Sequence, residues 1–160
     1  MNIENIKELM DNFSLAALFP EIESILDLVA PVARLCLMVG PFALLALGLY
    51  YILSAPKEAN YRSGYRCYFG MGSEMAWQFT QKLAGCLYAL TGMTLVVTMA
   101  LLGRKLVGAE LMELLLQTVV YLFIQALVIV GVKLLINLTV AVRYNRKGDR
   151  RYTWAELWRG

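Results

Sequence analysis

Between residues 60 and 77 the chain reads NYRSGYRCYFGMGSEMAW, which gathers Arg62, Arg66, Tyr61, Tyr65, Tyr68, Trp77 and three glycines. A guanidinium fork suits bidentate bonds to phosphate or carboxylate. Tyrosine and tryptophan rings pair an apolar body with a polar tip. The chemistry on offer is therefore recognition, of a lipid headgroup, of a helix C-terminus or of a polypeptide. Gly64, Gly70 and Gly72 permit positive φ, so the stretch before residue 73 reads as an irregular loop. Ser73 then has the chemistry of an N-cap, and Glu74 sits where a negative charge favours a helix start. The simplest alternative is a connector that only anchors the following helix.

Catalysis has little to stand on. The chain has no histidine, and Cys36, Cys67 and Cys86 are scattered without metal-ligand spacing. No nucleophile–base pair and no phosphate loop is present in the sequence. No enzyme, no metal and no cofactor is expected.

The elements that must position the loop follow from hydropathy. The chain is 59% hydrophobic and only 17% charged, and the excess falls in blocks. Residues 35–53, 83–102 and 114–132 are each free of charge for 19 or 20 residues. A bilayer core of about 30 Å needs roughly 20 helical residues, so three spans fit, over about 29–53, 80–102 and 114–140. The fold class expected is an all-α integral membrane protein with three transmembrane helices and an amphipathic N-terminal helix. Residues 1–28 supply that helix, because Ile3, Ile6, Leu9, Met10, Phe13 and Ala17 form one apolar stripe broken by Pro20. Residues 29–142 form the membrane domain, and 143–160 a basic, aromatic tail. The second span is read as a long helix from Ser73, with Trp77 in the interfacial aromatic belt. The short second connection predicts a tight hairpin of spans two and three.

Charge predicts orientation. Ten Lys and Arg residues fall in the first loop and the tail, against Lys7, Arg104 and Lys105 on the other side. Basic residues accumulate on the cytoplasmic side, which places the N-terminus outside and the C-terminus inside the cytoplasmic membrane. The tail, RYNRKGDRRYTWAELWRG, is expected to bind anionic lipid headgroups first. Thr153 and Glu156 have capping-box spacing, which starts a short helix carrying Trp154 and Trp158. No nucleic-acid partner is expected, because the membrane already accounts for these charges.

Within the spans, Gly40, Gly48, Gly85, Ala89 and Gly92 are expected packing surfaces. Pro41 interrupts the first span's hydrogen-bond ladder. In span three, Gln117, Tyr121, Gln125, Lys133 and Asn137 recur at multiples of four and form a slanting ridge. Gln125 should bond a threonine of span two. Lys133 either snorkels or belongs to a ligand or ion path with Gln125 and Asn137. That second reading describes a small transporter or channel subunit, with the ridge lining a path in a homo-oligomer.

Asn60, Gly64-Tyr65-Arg66, Ser73-Glu74, Trp77 and Gly85, in that order and ahead of a second span, resemble the signature loop of the SdpI family of small bacterial membrane proteins. The motif core runs from about Pro56 to Gly85, and the three-span layout also agrees. The family usually has threonine where this chain has Cys67, and the N-terminal arm is not covered. The resemblance implies an immunity and signalling protein that acts by binding. Its partners would be a secreted toxic peptide, against which it protects, and a cytoplasmic regulator. Asn60, Gly64, Tyr65, Arg66, Glu74 and Trp77 would then be the loop's binding residues.

Overall fold

The computed structural model describes residues 21–59, 62–106 and 109–151, with 21–27 as helix backbone only. The amphipathic reading of residues 1–20, Asn60 and the tail helix after residue 151 lie outside the described residues. Three helices account for most of the rest: α1 (Glu21–Leu53), α2 (Glu74–Lys105) and α3 (Leu111–Arg143). Each is long and apolar enough to cross a membrane. The chain is thus an all-α, multi-pass membrane protein. The expected N-cap is present: Ser73 is extended, and its Oγ accepts from the Ala76 N–H at 3.2 Å.

α1 and α2 are the close pair. A methyl added at Gly48 would strike the backbone N of Ala89 and lie 2.7 Å from its Cα. One added at Gly92 would lie 2.6 Å from the backbone N of Leu45. Only small residues allow backbones this near. The tight hairpin expected of spans two and three is therefore not what forms. The single glycine of α3, Gly131, faces open space, so α3 has no small-residue surface to bring its backbone in. Its buried residues are few: Leu114, Gln125, Ile136 and Val140.

Besides the apolar contacts of Ile136 and Val140 in the core, a polar bond ties α3 to α1. Gln125 is buried, and its Nε2 donates to the Leu37 carbonyl of α1 at 3.0 Å. Pro41 explains the choice. Proline at position i has no N–H for the carbonyl at i−4, and four residues before Pro41 is Leu37. α3 thus supplies the donor that α1 lacks, in a medium where an unmet carbonyl is costly. The threonine partner expected for Gln125 is not used. Thr94 and Thr98 are exposed and donate to carbonyls of their own helix.

Candidate functional site

The loop between α1 and α2 does not lie slack over the bundle; Tyr65 plugs into it. Its ring is buried, meeting Tyr51 of α1 and Tyr88 of α2 edge-on at centroid distances of 6.2 and 5.8 Å. Its hydroxyl donates to Asn137 Oδ1 at 2.9 Å and approaches the Lys133 carbonyl at 3.3 Å, both on α3. One side chain therefore touches all three helices. Burial, and next the neighbouring Tyr88, pushes the Tyr65 hydroxyl well above the ordinary tyrosine range. It stays a neutral donor.

The loop backbone is fixed from below. Gln81 of α2, itself buried, accepts the Tyr65 N–H at 2.7 Å and donates to the Tyr65 carbonyl at 2.8 Å. A side-chain amide thus takes the place of a neighbouring strand. Gly64 precedes this pair with φ 95°, a left-handed backbone that favours glycine. A Cβ there would also lie 2.8 Å from the Trp77 ring. Gly70 and Gly72, expected in the same role, are not among the positive-φ glycines. Trp77 is fully buried, and its Nε1 donates to the Pro56 carbonyl at 2.8 Å. It faces the loop and not the lipid interface, because its indole N–H finds a carbonyl inside.

A second piece, which sequence reading missed, completes the cap. After α3, residues 144–151 fold back in a tight turn. The Asn145 Oδ1 accepts from the N–H of Lys147 and of Asp149, both at 2.9 Å, and the Arg151 N–H donates to the Arg143 carbonyl at 3.0 Å. Gly148, at φ 82°, turns the corner. This turn docks on the start of α2, where Ser73 Oγ donates to the Gly148 carbonyl at 2.8 Å. Arg143 stacks over Phe79 at 4.4 Å and Arg151 over Phe69 at 5.6 Å. The Asn145–Gly148–Asp149 spacing was the available signal for this turn. Nothing local pointed to its docking partner.

The predicted site residues separate into two groups. Gly64, Tyr65 and Trp77 are structural parts of the cap. Arg66 is exposed beside the plug, and Glu74 is exposed and accepts from Gln78 Nε2 at 2.9 Å. In α3, Gln125 serves α1, Asn137 serves Tyr65, and the Lys133 side chain is exposed. Within one chain these three do not line one path. Burial raises the Cys67 thiol above its ordinary range, against hydrogen bonds from Gly70, Thr80 and Phe69 that pull the other way.

No curated protein and no solved structure matches the chain. A family model described as the SdpI/YfhL protein family matches residues 57–137, a segment that opens in the cap loop and closes at Asn137, the acceptor of the Tyr65 hydroxyl. With half of its length under that match, this chain belongs to the SdpI/YfhL family.

Proposed function

We propose that the protein is a membrane immunity and signalling component that acts by binding and not by catalysis. In this reading the cap faces the cytoplasm of a bacterial cell and the N-terminus lies outside. The protein protects the cell against a secreted toxic peptide, and the cap is the surface that a cytoplasmic regulator meets. The carrying observation is the Tyr65 plug. It fixes the backbone on either side of Tyr65 and leaves the neighbouring Arg66 exposed. A loop already ordered loses little conformational entropy when a partner arrives. Its buried polar groups are spent on one another, which supports recognition over bond-making. The orientation rests on the ten-to-three distribution of basic residues.

The test is protection. Peptide-sensitive bacteria expressing the protein are challenged with candidate secreted peptides, alongside cells carrying Arg66→Ala or an empty vector. Wild type should raise survival, and Arg66→Ala should lose that gain while reaching the same membrane level. Equal survival of expressing and control cells across the peptides and envelope stresses tried would remove the reading.

A further inference from the structure

At the end away from the cap, α2 stops short of its neighbours. The antiparallel register that sets Gly48 against Ala89 and Gly92 against Leu45 runs on to Gly103, where a Cβ would lie 3.8 Å from Arg34 Cγ. α2 ends two residues later at Lys105, level with about Val32, whereas α1 continues back to Glu21, about 16 Å farther along its axis. Past that point α1 and α3 project together. An apolar crevice of about 310 Å³ runs between them, from Leu28, Val32, Leu115 and Thr118 down to Cys36 and Leu122. Its rim is exposed apolar surface: Leu28 is 69% exposed and Leu115 46%. Arg104 and Lys105 close the charge-free stretch of α2 at the level of Val32, so most of the overhang stands in the headgroup layer. Acyl chains therefore reach only the floor of the crevice.

This end also lacks polar partners. Among the described residues, Arg34 Nε and Gln117 Oε1 are the buried side-chain atoms without a hydrogen bond, and both lie here. Each residue is next in sequence to one that lines the crevice, Ala33 and Thr118. Gln117 spends its amide N–H on Glu113 of its own helix at 2.6 Å, which leaves the oxygen unanswered. Unmet buried polar atoms are costly. What this end wants is a segment with an apolar face and hydrogen-bonding groups beside it.

The chain carries such a segment directly before α1. Ile3, Ile6, Leu9, Met10, Phe13 and Ala17 form one stripe, with Glu4, Glu8 and Asp11 on the opposite side. Pro20 follows, and the residue before a proline is biased away from helix, which makes a turn there. We propose that this N-terminal arm folds back at Pro20 and seats its apolar stripe in the α1–α3 crevice, antiparallel to α1. Equal rises in both directions from Pro20 bring Phe13 level with about Leu28 and Leu9 level with about Val32. The acidic side then stays among the headgroups, where amphipathic helices lie. The inference rests neither on the protective role nor on which side of the membrane the arm occupies.

Full-length protein in liposomes, with Cys36, Cys67 and Cys86 replaced by serine, is given cysteine pairs and oxidised with copper phenanthroline. Disulfides are read by mass spectrometry of proteolytic fragments and on non-reducing gels. Leu9→Cys with Val32→Cys, and Phe13→Cys with Leu28→Cys, should each close within one chain. Closure should be at least about fivefold more complete than for Asp11→Cys with Val32→Cys, whose first cysteine lies on the opposite helix face. Circular-dichroism melting identifies a pair that fails to fold, and the other pair then decides. Closure no better than in the Asp11→Cys control would mean random collision. Failure to close would mean that the arm lies elsewhere, and disulfides joining two chains would mean that a second copy fills the crevice. Each of these outcomes overturns the proposal.

Discussion

Tyr65 concentrates several roles in one side chain, and they can be separated. Tyr65→Phe keeps the ring against Tyr51 and Tyr88 but removes the donor to Asn137. Its expected cost is about 0.5–1.5 kcal/mol, the net worth of a hydrogen bond, read as a lower melting temperature in detergent. Full wild-type stability in Tyr65→Phe would mean that the plug is held by packing alone. The same hydroxyl makes stability depend on pH in the alkaline range. Its folded pKa lies above the unfolded value of about 10. The contribution is therefore complete below that unfolded value and is lost as pH rises through the folded one. Cys67 carries a parallel prediction. Its raised thiol is neutral at pH 7–8, so maleimide should modify it more slowly than a free thiol, and the rate should climb only at higher pH. Rapid labelling at pH 7 would contradict the half-buried position of Cys67. Residue types and order in the loop were legible in the sequence. The inward face of Trp77 and the service of Gln81 were not, because both depend on where a loop without regular periodicity lands on α2.

At the scale of elements, the helices divide into a backbone-contact pair and a third member pinned by side chains. Gly48→Ala pushes a methyl into the Ala89 backbone, which must move. The expected loss is about 1–3 kcal/mol, as for other overpacked cores. Gly131→Ala meets nothing within 4 Å and should instead gain up to about 1 kcal/mol of helix propensity. Unfolding of both variants in sodium dodecyl sulfate, followed by circular dichroism, makes the comparison; equal effects would sink the assignment of α1–α2 as the close pair. The small residues at 48, 85, 89 and 92 marked packing surfaces in the sequence. Which helices they would join was not marked, since a short connection argues for α2–α3 while complementary glycine faces argue for α1–α2. Backbone approach won because lipid-facing apolar residues gain nothing by turning inward.

For the molecule as a whole, the cap ties the loop, the start of α2 and the end of α3 into one unit through Tyr65, Ser73 and Gly148. If that unit lies on the cytoplasmic side, a cysteine placed at exposed Glu58 in a cysteine-free background should resist a membrane-impermeant thiol reagent in intact cells and react once the cells are broken. Labelling of intact cells would invert the topology and remove the cytoplasmic regulator from the proposed function. The amino-acid sequence by itself determined that there are three spanning helices, that α2 starts at a Ser73 cap, and that an Arg- and Tyr-bearing loop precedes it. These properties are local: hydropathy adds along the chain, and a cap is set by its own side chain and the first turn. Tertiary structure alone decided that Tyr65 enters the bundle, that Gln125 answers the carbonyl exposed by Pro41, and that the turn after α3 locks onto α2. Those choices depend on distances between segments far apart in sequence, and in lipid no hydrophobic periodicity records which face meets which.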